Sequence, residues 1–266
     1  MMRHREAPLS RTLGRLLFAW KTDARGPGRL DGLMATDNVR GMFETIASSY
    51  DLQNRLLSAW LDTHWRNVFV RCLGLSDGGL LGDLAIGTGE IALRACRRYP
   101  RIRVIGVDFS PHMMEVARRK IRRRSLEHRI ELRRGDLRRL PVEDGLFDAI
   151  TIAFGIRNVG QRDDVLRDCF RVLKPGGRIQ IMEPGFLEVP VLGRAYKWYF
   201  DHVMPLVGNL LSGTDYAYTY LSETVYAFPS DESFIRSLKG ARFVDTKVIL
   251  LTYGMARIYR GRKPST

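Results

Sequence analysis

Five short apolar segments alternate with helical ones between residues 80 and 182, and no other feature narrows the fold as much. Residues 80–85, 104–108, 130–133, 147–153 and 178–182 carry the aliphatic, β-branched and aromatic side chains of strands. Helical patterns at about 90–98, 111–124 and 163–173 separate most of them. The last of these runs into Lys174-Pro175-Gly176-Gly177, which combines helix-stop and turn chemistry. Strands joined through helices pair in parallel, so the pattern predicts an α/β, doubly wound and mostly parallel sheet with helices on both faces. Ligands on such a sheet bind beyond the carboxyl ends of the strands, so the loops after the strands are where functional residues belong.

A chain of 266 residues can build one such domain with a large core. Residues 1–37 read differently from the rest. Leu9, Leu13, Leu16, Leu17 and Trp20 fall at helical spacing among Arg3, Arg5, Arg11, Arg15 and Lys21, and Gly26-Pro27-Gly28 ends the pattern. This basic extension is expected to be disordered or to touch a membrane; a transit peptide and a start at Met34 are the alternatives. Residues 38–266 form the expected domain, with a helical region over 39–73 before the first strand. Within it, residues 186–230 gather Tyr196, Trp198, Tyr199, Phe200, Tyr216, Tyr218, Tyr220, Tyr226 and Phe228. Such a stripe packs as core or roofs an apolar pocket.

The formal charge of +14 favours anionic partners, either nucleic acid or an anionic membrane surface, unless it only reflects arginine on solvated faces. No RNA-binding module or interleaved aromatic–basic strand motif accompanies it, which speaks against nucleic acid. The run Ala117-Arg-Arg-Lys-Ile-Arg-Arg-Arg124 reads as a solvated helix face that can also meet lipid headgroups. No apolar run reaches the roughly 18–20 residues that cross a bilayer. Cys72, Cys96 and Cys169 are scattered and the five histidines isolated, so neither a disulfide framework nor a metal site is expected. A cytoplasmic chain with peripheral contact on the inner membrane face fits these facts.

The first expected strand leads into Asp83-Leu-Ala-Ile-Gly87-Thr88-Gly89-Glu90. Its glycines let a ligand approach the backbone, and the following helix offers free N–H donors. Nicotinamide sites use a glycine loop too, but here the full GxGxxG fails at Ala92. Asp83 inside the strand end is placed instead for the cationic amino-acid end of S-adenosylmethionine. Asp108 closes the second strand, where a carboxylate accepts both ribose hydroxyls. Gly135-Asp136 follows the third, where a carboxylate accepts the adenine amino group.

With Leu173-Lys-Pro-Gly-Gly177, this set resembles class I methyltransferases. Further elements are similar to the ubiquinone/menaquinone biosynthesis C-methyltransferase family over about residues 38–264. They are Phe43-x-x-x-Ala47-x-x-Tyr50-Asp51-x-x-Asn54, Phe154-Gly-Ile-Arg157-Asn158-Val, the run from Arg171 to Glu183, Tyr196…His202-Val-Met-Pro205…Gly208, Tyr218-x-Tyr220-Leu-x-Glu223 and Arg260-Gly261-x-Lys263. The resemblance implies a Rossmann-like class I methyltransferase fold, S-adenosylmethionine as cofactor and a ring carbon of a prenylated quinol as acceptor. It implies that Thr88, Asp108, Gly135 and Asp136 bind the cofactor with Ala153 beside it, on the loop shaped by Gly87 and Gly89. Tyr50 would close over it, and Arg157 and Asn158 would face the acceptor ring.

A guanidinium stays protonated, so Arg157 is expected to stabilise a phenolate or orient a water rather than act as the base. His202 is the candidate base by its titration range, or else a packed helical residue. The chain departs from the family pattern at Gln53 (usually Met), Asp62 (His), Ile86 (Gly), Arg138 (an acid) and Gly185 (Ser). Another phenolic or lipid acceptor is therefore the alternative, and the resemblance leaves naphthoquinol against benzoquinol, and homodimerisation, open.

Overall fold

The computed structural model describes Gly41, Ala47, residues 50–204 and residues 217–265. The expected extension at 1–37, and Pro205, Gly208 and Tyr216, lie outside the described residues. Seven strands form one sheet: β1 (Leu80–Leu84), β2 (Arg103–Asp108), β3 (Ile130–Arg134), β4 (Phe147–Ala153), β5 (Leu173–Pro184), β6 (Val244–Leu251) and β7 (Ala256–Arg262). Their order is β3-β2-β1-β4-β5-β7-β6. The first five run parallel, while β7 lies antiparallel to both β5 and β6. This is the Rossmann-like arrangement of class I methyltransferases, mostly parallel as the alternation predicts.

Helices α1 (Tyr50–Leu57) and α2 (Leu61–Arg71) precede β1; α3 (Glu90–Arg98), α4 (Pro111–Arg122) and α5 (Arg162–Val172) are the crossovers. The strand order reverses between β1 and β4, so a crevice opens there at the carboxyl edge. Two apolar layers sandwich the sheet. Phe69, Leu81, Ile91 and Val104 belong to one, and Leu84, Phe147, Ile150, Leu166 and Phe234 to the other.

Two expected boundaries differ. The helical region at 39–73 is broken at Ala59 and Trp60, whose φ angles are 47° and 64°. The Trp60 amide reaches back to the Arg55 carbonyl at 2.7 Å, a left-handed stop that ends α1. Lys174–Gly177, expected as a turn before the fifth strand, lie inside β5. Gly176 at φ 78° absorbs the extra residues as an irregularity in the pairing with β4.

After β5 come α6 (Pro190–Trp198), a π-turn (Tyr199–Val203), α7 (Ala217–Tyr226) and α8 (Asp231–Gly240). Phe186 packs on Phe200 at 5.3 Å and on Tyr226 at 4.7 Å between ring centres, making a third, aromatic layer that includes Met113 and Tyr220. Among the described residues no helix is long and apolar enough to cross a membrane.

Candidate active site

A cavity of about 330 Å³ opens at the carboxyl ends of β1, β2 and β4. Two non-glycine residues on its wall, Ala85 after β1 and Phe154 after β4, hold left-handed backbone, φ 53° and 59°. Such strain persists only where the surroundings impose it, and it marks functional loops. The two loops touch: a Cβ on Gly155 would sit 2.6 Å from the Ala85 Cβ. Only glycine permits that approach. Gly87, at φ 53°, makes the same demand on the loop after β1.

Asp108, at the tip of β2, lines the cavity and is buried. Its Oδ2 accepts from the Gly87 amide at 2.8 Å and its Oδ1 from the Ser110 amide at 2.9 Å. One carboxylate thus fixes the glycine loop and starts α4. Burial pushes its pKa above the usual carboxylate range. Asp136 lines the next part of the wall and is held by Arg138, whose side chain reaches it at 2.6 Å and whose amide donates at 2.8 Å. That guanidinium keeps Asp136 below the ordinary range and also donates to Gln161 Oε1 at 3.0 Å.

Asp83 does not line the cavity, contrary to the sequence expectation. It is 1% exposed, and its oxygens are taken by the Thr151 hydroxyl at 2.9 Å and the Ala92 amide at 3.1 Å. The acid ties β1 to β4 and to the first turn of α3. Gly89 caps α3 at φ 83°, and Gly135 lies against the Pro141 ring; they shape the loops from outside the wall. Thr88 and Ala153 are on it.

Tyr50 and Arg66 reach the cavity from α1 and α2. A polar latch holds α1 there. Asp51 accepts from the Thr88 hydroxyl at 2.6 Å and pairs with Lys120, which also binds Glu90 at 2.8 Å. Arg94 pairs with Glu90 in turn and donates to Asn67 of α2 at 3.2 Å. Burial raises the Glu90 pKa, but Lys120 and Arg94 outweigh it and bring the group to about 2.

The loop after β4 places Asn158 on the wall and Arg157 behind it. Arg157 is 6% exposed and its Nη1 donates to Glu183 at 2.8 Å and to the Phe154 carbonyl at 2.7 Å. The expected contact with an acceptor ring is therefore not formed by a free guanidinium: this one is a buried ion pair joining the ends of β4 and β5. Asn158 Oδ1 accepts from the Tyr220 hydroxyl at 3.1 Å, and burial pushes that phenol up to about 12, so it keeps its proton. His202, the expected base, is exposed on the π-turn and stacked on Trp198 with ring centres 5.5 Å apart, away from the cavity wall. Its position one helical turn after Trp198 sends it to the outer face.

The profile of the ubiE/COQ5 methyltransferase family matches residues 33–263. The chain belongs to that family. It is 41% identical over 228 residues to the ubiquinone/menaquinone biosynthesis C-methyltransferase UbiE of Geobacter sulfurreducens, covering 85% of this chain and 89% of that one. It is also 41% identical over 223 residues to the demethylmenaquinone methyltransferase of Thermus thermophilus, covering 84% and 100%. Solved structures share the fold at lower identity. An S-adenosylmethionine-dependent methyltransferase of Thermotoga maritima gives a TM-score of 0.61 at 20% identity, covering 84% of this chain and 99% of that one. Phosphoethanolamine N-methyltransferase 2 of Haemonchus contortus, solved with S-adenosyl-L-methionine, gives 0.56 at 17%, covering 76% and 52%.

The chain is an S-adenosylmethionine-dependent methyltransferase, and the cavity suits that cofactor. Carboxylates stand at its β3 and β2 sides, a left-handed glycine loop at β1, and Ile86, Met113 and Leu137 supply apolar wall between them. The departures from the family pattern have local partners. Ile86 Cδ1 fills the space a side chain at Gly106 would need, and Arg257 lies where a Cβ on Gly185 would be. Asp62 pairs with Arg66 at 3.3 Å. Sequence reasoning did not single out Asp51 as a latch, or Arg66, Glu90 and Gln161 as wall residues. Asp51 and Glu90 carried a signal, beside Tyr50 and at the end of the glycine loop, whereas Arg66 and Gln161 carried none.

Proposed function

We propose that this methyltransferase alkylates a ring carbon of a reduced, prenylated quinone in respiratory quinone biosynthesis. The observation that carries the reading is Asn158. It sits on the cavity wall in the Phe154-Gly-Ile-Arg157-Asn158 element, with its carbonyl oxygen engaged by Tyr220. Its amide nitrogen is left to donate to a phenolate oxygen, which raises electron density on the ring carbons. Relatives named for ubiquinone, menaquinone and demethylmenaquinone support that acceptor class.

When bound, S-adenosylmethionine supplies the electrophilic methyl group. Asp108 would accept its ribose hydroxyls, Asp136 its adenine amino group, and Thr88, Ala153 and the turns at Gly87, Gly89 and Gly135 would shape its bed. Tyr50, latched through Asp51, would close the site against water. Burial works against the Arg157 charge, but the Glu183 charge and hydrogen bond together with Tyr50 and Tyr220 outweigh it, so Arg157 acts as a fixed cation and not as the base. Within the segment 186–230, α7 would cap the acceptor side, where its Tyr220 reaches Asn158.

A prenylated acceptor lives in a bilayer, and α6 supplies a surface to meet one. Val191, Leu192 and Trp198 are exposed there beside Arg194 and Lys197. The chain would thus work on the cytoplasmic face of the membrane.

Labelled S-adenosylmethionine with demethylmenaquinol, a polyprenyl methoxy-benzoquinol and bulk RNA in parallel tests the reading. Label on a quinol ring carbon is expected, and the preferred ring names the pathway. Cofactor binding without transfer to either quinol would overturn the acceptor assignment.

A further inference from the structure

Arg66 is a buried cation that the fold leaves half used. It is 7% exposed, lines the cavity, and holds its guanidinium carbon 5.1 Å from the centre of the Phe154 ring. Its Nε donates to Asp62 Oδ2 at 3.3 Å, long for a charge-assisted bond. Its two terminal nitrogens donate to no described residue. Nor are they sealed in protein: they keep accessible surface, and the residue lines the cavity. Donors held at a cavity wall in this way are available to an acceptor on a ligand, and a guanidinium fork suits a carboxylate.

Position and charge narrow the ligand. Arg66 stands over Phe154, after β4, and its charge acts on Asp83 of β1. It therefore serves the β1–β4 end, away from Asp136 at the β3 end. The other cation on the wall, Arg138, is committed to Asp136 and Gln161. The nearby wall carboxylate, Glu90, is committed to Lys120 and Arg94. An anion entering this end has one unengaged fork of donors to meet.

We propose that Arg66 is a carboxylate subsite and takes the α-carboxylate of the cofactor's amino-acid tail through its terminal nitrogens. The inference rests on S-adenosylmethionine as cofactor and is independent of the acceptor's identity. Phe154 holds the guanidinium plane and Asp62 anchors its Nε, so the fork is oriented before the ligand arrives. Asp83, expected from the sequence to meet the amino-acid end, is sealed beneath the loop, and the opposite charge of that end is what the cavity recognises here.

Calorimetric titration of the full chain with three compounds tests this. S-adenosylhomocysteine carries the carboxylate, its decarboxylated analogue lacks that group alone, and 5′-methylthioadenosine lacks the whole amino-acid end. Arg66→Ala is expected to weaken S-adenosylhomocysteine by roughly 10- to 100-fold and leave the other two unchanged. Arg66→Lys should recover only part of the loss, because an ammonium cannot present a fork. Asp62→Asn should keep the preference for the carboxylate, whereas a purely structural Arg66–Asp62 pair would make it behave like Arg66→Ala. Equal weakening of all three ligands by Arg66→Ala, or none, would overturn the proposal. Failure of the parent chain to bind any of the three would instead remove the cofactor reading beneath it.

Discussion

Replacing Arg157 with alanine would strand Glu183, which is 1% exposed and has Arg157 as its ion-pair partner. Breaking a buried pair from one side costs about 3–5 kcal/mol, because the remaining charge stays desolvated. Chemical denaturation should report a loss of that size for Arg157→Ala and a much smaller one for the double change Arg157→Met, Glu183→Leu. Lost turnover in the single variant would then reflect the scaffold as much as the chemistry. Asn158→Ala separates the two, since Asn158 lies on the wall outside the ion pair. It is expected to lower kcat by about 10²-fold with S-adenosylhomocysteine affinity unchanged. A matching fall in affinity would move Asn158 to the cofactor. The Arg157–Asn158 motif was legible in the sequence, yet its division of labour was not. Nothing in a linear chain says that position 157 meets position 183, because that contact exists only once β4 and β5 pair. Arg66 was silent for the same reason: its neighbours Phe154 and Asp83 arrive from two different strands.

At the scale of elements, the junction of β1, β4 and α3 holds a buried carboxyl group whose protonated form folding favours. Burial pushes Asp83 up to about 7, from 3.8 in an exposed chain, against the pull of Thr151 and Ala92. A folded-state pKa above the unfolded one means that folding favours the protonated acid. Its contribution is complete below about pH 4 and is lost as the pH rises through 7. The parent chain should therefore lose melting temperature between pH 5 and pH 8 relative to Asp83→Asn, whose amide does not titrate. Parallel curves for the two would place the Asp83 pKa near that of an ordinary carboxylate. The strands and crossovers that form this junction were readable because period-two and period-3.6 patterns survive in a single sequence. Three things were not. The break at Ala59-Trp60 relies on left-handed non-glycine backbone, and the start of β5 runs through a Pro-Gly-Gly element that spells a turn. The β6–β7 pair at the carboxyl end left no motif beyond Arg260-Gly261-x-Lys263.

For the molecule as a whole, the question is how a polar protein reaches an acceptor with a polyprenyl tail. The run at 117–124, read as a solvated face that can also meet headgroups, is partly engaged within the chain: Lys120 holds Asp51 and Glu90, and Arg118 forms an exposed pair with Glu115. On α6 the arrangement is different. No residue of that helix is buried, and Val191, Leu192, Ala195 and Trp198 are exposed with Arg194 and Lys197 beside them. On its other side Tyr196 packs against Phe200, which is in the aromatic layer shared with Tyr220, and Tyr220 reaches Asn158 on the cavity wall. A surface of this kind binds a bilayer through a modest apolar area plus about 1 kcal/mol for each cation near an anionic leaflet, so its affinity must fall steeply with salt. The chain is expected to sediment with vesicles containing anionic phospholipid and not with neutral phosphatidylcholine. Trp198→Ala with Lys197→Glu should reduce that binding at least tenfold and slow methylation of a long-tailed quinol held in the vesicle. Methylation of a short-tailed quinol in solution should persist, because α6 contributes nothing to the cavity wall. Undiminished vesicle binding would clear α6 of this role, and a parent dimer that the same changes convert to monomer would assign the face to a second copy of the chain.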